Sequence, residues 1–311
     1  MQRVLTTVTL LGLLVATAAA FAITEHLKLI KSPVRGVLVS KVFSPVCHCK
    51  TRTAAIRLKL RHSDRVTVTI VDGGHHTVAT IAGPGALVPA GQAVSFPWDG
   101  STDSGARAPD GVYYPEIDLS KARRNFLLLA NRITLDTKTP EVLSASAGSG
   151  VLFVGRGRGI AIRYAFSEPA NAVVYLGGRQ IIRGHPSRTH AAVKWSGRLH
   201  GRPLPAGRYV LSVGARDAAG NETPAAGRKD VTVVVRYIDL APHVLTVRPG
   251  ARFDVHLETR TPRYTWRLGH RHGARRGRLL RLHAPSTPGT YRLVVGEHGH
   301  TTVAIVRVRA G

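Results

Sequence analysis

Short runs of alternating apolar and polar residues, divided by glycine and proline, dominate this chain and restrict it to a sheet-built body. They lie at 55–60, 66–71, 113–119, 160–166, 172–176, 209–215, 231–235, 290–295 and 301–308. A period of two puts every second side chain on one face of a strand. Stretches of helical period are absent from the body, and the sole methionine is Met1. Such spacing predicts antiparallel β-sandwiches, with each sheet covering the other and the loops left to carry function.

An internal repeat sets the module count. One copy reads Phe96-Pro97-Trp98-Asp99-Gly100 and then Pro109-Asp110-Gly111-Val112-Tyr113. The other reads Val193-Lys194-Trp195-Ser196-Gly197 and then Pro205-Ala206-Gly207-Arg208-Tyr209. A Trp closing one strand and a Tyr opening the next can meet in the core. Gly111 and Gly207 are expected to supply a positive φ in the turn between them. A third module keeps only Thr287-Pro288-Gly289-Thr290-Tyr291, and reads as a smaller or diverged sandwich. The expected layout is a signal peptide or signal-anchor helix and stalk over 1–35, sandwiches over 36–137 and 138–236, and a basic sandwich over 237–311. Residues 134–142 and 237–242 are read as linkers.

From Val4 to Ile23 the chain has twenty residues without a charge, preceded by Arg3. As a helix that run would rise about 30 Å, matching a bilayer's hydrocarbon core. It exceeds the roughly 7 to 15 residues of a cleavable apolar region. The expectation is therefore a single-pass membrane protein, anchored through residues 4–23 with its body extracellular. Residues 25–31 would extend the helix into the interface, with Lys28 and Lys31 reaching toward headgroups. Small residues Ala18, Ala20 and Ala22 keep the cleaved, secreted form as the alternative.

Phe43-Ser44-Pro45, the strands from Ala54 to Leu60 and from Val66 to Asp72, Trp98-Asp99-Gly100 and the Pro109–Tyr113 turn carry a resemblance. Together they resemble the immunoglobulin-like domain of the flagellar hook-capping protein type, which is found in many bacterial surface and secreted proteins. The second module, with Trp195-Ser196-Gly197 and the run from Ala215 to Asn221, is similar to the same family. Asp136-Thr137-Lys138-Thr139-Pro140 is similar to its inter-copy linker. The resemblance implies spacers, adhesins or adaptors. Val46-Cys47-His48-Cys49-Lys50 replaces the acidic loop of family members, so no calcium site is carried over.

Cys47 and Cys49 are the only cysteines. Two residues apart, they suit a tight disulfide in an oxidising compartment; free thiols, bonds to another chain, or a metal set with His48, His75 or His76 are the alternatives weighed. Catalysis finds little support. Ser146 and Ser149 lack a strand-to-helix elbow, and Asp99, Asp103, Asp110, Glu116 and Asp118 read as turn formers or strand-face residues. Gly155-Arg156-Gly157-Arg158-Gly159 lacks the Lys-Ser/Thr ending of a phosphate loop and reads as a basic turn. Asn221-Glu222-Thr223 fits a glycosylation acceptor and reads as a surface loop. No metal, cofactor or small-molecule substrate is expected.

Charge points to a partner. The chain carries 44 Lys and Arg against 18 Asp and Glu, a formal +26. Arg267, Arg271, Arg275, Arg276, Arg278 and Arg281 fall between 267 and 283 with no acid among them. Such density attracts polyanions. With no stacking platform, zinc finger or helix-turn-helix pattern alongside it, the segment argues against nucleic acid. The sequence therefore reads as a non-catalytic cell-envelope structural or adhesion protein whose partner is another envelope protein. Alternatives are a module binding an acidic envelope polymer through 267–283, or an accessory subunit of an envelope enzyme. Trp98, Gly111, Tyr113, Trp195, Gly207 and Tyr209 are assigned to turns and core.

Overall fold

The computed structural model describes residues 10–22, 32–154, 159–185, 187–259 and 263–310. It is almost entirely β, with a short helix at the start and tandem immunoglobulin-like or fibronectin-like sandwiches after it. Two compact units divide the chain between Thr137 and Lys138.

The membrane expectation does not hold. α-Helix is described over 10–22 and a single 3-10 turn over Ala225–Gly227, and no helix among the described residues is long and apolar enough to cross a membrane. The single-pass topology, the membrane partner and the membrane location drawn from 4–23 fall with it. Residues 3–9, the 25–31 extension and the 155–158 part of the glycine-arginine turn lie outside the described residues.

In the first unit, Val34–Val39, Ala54–Leu60 and Ala93–Trp98 make one sheet. Facing it, Val42–Phe43, Ile133–Leu135, Gly111–Leu119, Asp64–Val71 and Thr77–Val88 make the other, with Arg124–Leu127 added to Gly111–Leu119. The first strand lies two residues ahead of the expected boundary at 36. Alternation does the sorting: Ala54, Ile56, Leu58 and Leu60 are buried, whereas the residues between them are not. Ile56, Leu58, Ile70, Ile117 and Leu135 are at most 1% exposed, each removing apolar surface from water at about 1.5–3 kcal/mol.

The second unit repeats this plan twice. Val142–Ser146 and Arg188–Trp195 flank the start of Ile160–Leu176, whose far end joins Arg179–Arg183 and Gly207–Arg216, followed by Lys229–Arg236 and Val151–Phe153. Ile160–Leu176 is one 17-residue strand serving both layers, where two separate strands were expected. After it, Ile238–Ala241, Arg252–Thr259 and Leu279–His283 form one sheet, and Val244–Val247, His300–Val308, Gly289–Glu297, Arg263–Leu268 and Arg271–Arg276 the other. Residues expected as a linker at 237–242 therefore supply a strand. Tyr237 stacks on His300, with centroids 3.5 Å apart, and Arg236 pairs with Asp239, tying this stretch down on both sides.

One pairing recurs in all three sandwiches. The leading strand breaks, pairs antiparallel in one sheet and then parallel with the last strand of the other: Val42 with Thr134, Val151 with Val234, Val244 with Ile305. A second device recurs with it. The hydroxyls of Tyr113, Tyr209 and Tyr291 donate to the carbonyls of Pro109, Pro205 and Thr287, each four residues back, at 2.6, 2.9 and 2.9 Å. Such a tyrosine corner fixes the loop that feeds its strand.

Gly111 and Gly207 open their strands without a positive φ, contrary to expectation. The left-handed positions are Gly100 (φ +85°) and Gly197 (φ +73°), two residues beyond each Trp. There the chain reverses so that Trp98 Nε1 reaches the carbonyl of Ser101 and Trp195 Nε1 that of Arg198.

Candidate anion-binding face

The arginine-rich stretch, read from its charge as a loop, is built of strands. Arg263–Leu268 and Arg271–Arg276 form a hairpin, Gly277 and Arg278 turn the chain, and Leu279–His283 enters the opposite sheet. Alternation explains it: Tyr264, Trp266 and Leu268 are buried, and Arg263, Thr265 and Arg267 face out. Leu280 and Leu282 likewise anchor the next strand, leaving Arg281 outside.

The fold separates the six arginines. Arg267 lies cross-strand from His272, and Arg276 from Arg263, on the outward face. Arg275 lies opposite Tyr264 on the other face of the edge strand. Burial pushes the Tyr264 phenol above its ordinary range, with the Arg275 charge opposing that shift. Arg271 donates to the carbonyl of His283 at 3.0 Å, clasping the hairpin to the strand that leaves it. Arg281 is paired across strands with Asp254, Nε to Oδ2 3.3 Å. Arg278 sits apart in a cavity of about 610 Å³ with Phe153, His256 and Glu258. Arg267, Arg275 and Arg276 therefore remain at the hairpin. Arg263, absent from the expected set, joins them because the alternation runs on past the segment's first arginine.

One acid borders this face, Glu297, which lines the cavity shared with Arg263 and Arg276. Glu297 is buried beneath the sheet, accepting from the Thr259 hydroxyl and lying 3.7 Å from His298 Nδ1. Asp254 is engaged by Arg281. Among the described residues Arg263, Arg267 and Arg276 stand in no ion pair, the condition under which surface arginines draw anions.

The other expected residues belong to the frame. Phe43, Trp98 and Tyr113 form one aromatic cluster in the first core, with centroids 5.2 and 5.0 Å apart in sequence. Trp195 and Tyr209 meet edge-on at 6.2 Å in the second. Cys47 and Cys49 are joined by a disulfide across a 5.2 Å Cα separation, which leaves no thiolate pair for a metal. His76 lies instead against Asp72, 3.3 Å away.

Four of the five carboxylates that a hydrolase would pair are engaged one by one in structure. Asp99 accepts the Ser101 N–H at 2.9 Å, Asp103 the Thr80 N–H at 2.7 Å, and Asp110 the Thr137 N–H at 3.0 Å. Glu116 accepts from the Thr69 hydroxyl across strands. Each of these carboxylates serves a turn or a strand pairing. Asn221 is also not the exposed acceptor its tripeptide suggests: it is 3% exposed and its amide donates to Asp217 at 2.8 Å.

Among known families, the FlgD Ig-like domain matches residues 48–122. No curated protein sequence matches the chain. Solved structures similar to it include the I-band fragment I67-I69 from titin, 11% identical, covering 90% of this chain and 100% of that one at a TM-score of 0.26. The central fibronectin-III array of RIM-binding protein is 8% identical, covering 90% and 98% at 0.29. The Dpr2 Ig1-Ig2 complex with DIP-Theta Ig1-Ig3 is 13% identical, covering 88% and 98% at 0.25.

Proposed function

We propose that the protein is a non-catalytic structural and adhesion protein of the cell exterior. It displays three sandwiches, 36–137, 138–236 and 237–311, and meets an acidic polymer through the last. The observation that carries the reading is the Cys47–Cys49 disulfide, which uses both cysteines of the chain. Structural disulfides persist in oxidising compartments and are rare in the cytosol. The FlgD Ig-like match over 48–122 supports a surface or secreted module for the first sandwich. The same corner and strand switch in the second and third sandwiches supports extending that reading along the chain. A formal charge of +26 supports an acidic partner.

Protease applied to intact cells, followed by intact-mass measurement with and without reductant, tests location and redox state together. The expected result is digestion without lysis and a gain of two hydrogens on reduction. Protection of the chain until lysis, with both thiols free, overturns the proposal.

A further inference from the structure

A row of small residues crosses the outward face of the last sandwich. Thr265 is the cross-strand partner of Ala274 on one side and of Gly296 on the other, and Gly296 partners Thr301. Four adjacent strands thus present Ala274, Thr265, Gly296 and Thr301 in line. At roughly 4.8 Å per strand, this floor is about 14 Å long.

Basic residues wall it on both sides. The next outward positions, about 6.7 Å away along the strands, are Arg263 with its partner Arg276 on one side and Arg267 with its partner His272 on the other. Two open cavities meet over the floor, and both are lined by Thr265, Ala274, Gly296 and Thr301. One, of about 790 Å³, extends toward Arg263, Arg276 and His298, with Glu297 also at its edge. The other, of about 490 Å³, extends toward Arg267 and His272.

We infer that this trough, deepening the polyanion reading on which it rests, is a binding site for a linear acidic polysaccharide. Arg263, Arg267 and Arg276 would hold the anionic groups, and the small-residue floor would admit the chain between them. Guanidinium groups suit carboxylates through paired hydrogen bonds. The Thr265 and Thr301 hydroxyls offer both donor and acceptor to sugar hydroxyls. Edge protection, the bland role for charges on Arg271–Arg276, leaves Arg263 and Arg267 unexplained, because their strand is interior to the sheet. Single-stranded nucleic acid fits less well: the outward positions of this trough carry no aromatic ring on which a base could stack.

The test is titration of the full chain with polygalacturonate oligosaccharides, with neutral dextran as control, over a range of salt. Ala274→Leu fills the floor at an exposed position without altering charge, and is expected to weaken binding by about tenfold while keeping the salt slope. Arg263→Ser/Arg267→Ser is expected to weaken it by at least about tenfold and to reduce the slope by about two. Removing the same charge at Arg179 and Arg202, exposed in the preceding sandwich, should change affinity by less than about twofold. Amide exchange across 263–308 reports whether each variant keeps its fold.

Binding of Ala274→Leu at wild-type strength, or equal losses from the remote and wall pairs, overturns the trough. Tighter binding of oligo-dT or of anionic vesicles than of polygalacturonate overturns the polysaccharide. Neither result bears on cell-exterior location, which the protease experiment reads separately.

Discussion

Trp98 stands edge-on to Tyr113, ring centroids 5.0 Å apart and planes at 72°, at the point where the two sheets of the first sandwich converge. Trp195 and Tyr209 repeat the arrangement at 6.2 Å and 70°. In each pair the Tyr hydroxyl ties down the loop before its strand and the Trp N–H ties down the turn after its own. The last sandwich keeps the Tyr half through Tyr291. Its tryptophan, Trp266, lies instead on the Arg263–Leu268 strand, cross-strand from Gly273. A frame held this way leaves its exposed sheet faces free to vary, which is where the last sandwich departs.

The corner hydroxyls should differ in worth according to burial. Tyr113 is 5% exposed, so Tyr113→Phe leaves the Pro109 carbonyl without its donor in a protected site and should cost about 1–2 kcal/mol. The Tyr291 bond is exposed and Tyr291→Phe should cost less than about 1 kcal/mol, because water replaces the donor. Native-state hydrogen exchange followed by mass spectrometry on the full chain reads each sandwich separately. Equal losses at the two corners would refute the burial argument.

Periodicity made most of this frame legible. Residues 54–60 and 111–119 alternate cleanly because one face is buried, and the paired Trp and Tyr motifs located the corners. Where charge or proline dominated a segment, the same signal was present but masked. Arg263-Tyr264-Thr265-Trp266-Arg267-Leu268 alternates throughout, yet the arginines drew attention to a run beginning four residues later. Ile238–Ala241 was hidden by the proline that follows it. The trough lay beyond sequence reading for another reason: its floor joins residues 265, 274, 296 and 301, whose alignment is set by register across three strand pairs.

Gly197 should tolerate no side chain. Its φ of +73° disfavours L-residues, and a Cβ there would lie 2.8 Å from Leu152 Cδ2 and 3.1 Å from Val154 Cγ2. Gly197→Ala should therefore destabilise the second sandwich by about 2–3 kcal/mol, from backbone strain together with core displacement. Gly201, also at positive φ but with open space around the Cβ position, separates the two contributions. Gly201→Ala should cost only about 1 kcal/mol, and thermal unfolding of the two variants side by side gives the comparison.

Glu222 is a polar keystone of the second sandwich. It accepts from the Tyr175 hydroxyl and from Arg216, and lies 3.6 Å from Arg228, whose guanidinium covers the Tyr175 ring at 3.6 Å. The charged side chains of this group, Arg228, Glu222 and Arg216, are 19, 24 and 28% exposed. Glu222→Gln keeps the shape but leaves two half-buried cations without a counter-charge. The expected cost is about 2 kcal/mol, below that of breaking a fully buried pair because water still reaches the group. Adding Arg216→Met should recover part of the loss, since the substitution removes one stranded charge. A double variant that loses the sum of the single effects would show that the pair acts independently.

Acid sensitivity of the first sandwich should trace in part to Asp99. The Ser101 backbone N–H, donating to Oδ1 at 2.9 Å, holds the Asp99 carboxyl below its ordinary value of 3.8. A carboxylate depressed in the folded state contributes stability above the unfolded value, and that contribution disappears as pH falls through the folded one. The bond belongs to the turn that carries Gly100 and receives the Trp98 N–H at the Ser101 carbonyl, so protonation should loosen the aromatic corner first. Unfolding followed between pH 5 and pH 2, a window about the ordinary carboxylate range, should show a steeper loss for the wild type than for Asp99→Asn. Asparagine keeps an acceptor at that position but does not titrate. Identical acid limbs in the two proteins would remove Asp99 from the account, and exchange at Trp98 through Ser101 that stays protected at low pH would show that the corner does not depend on this charge.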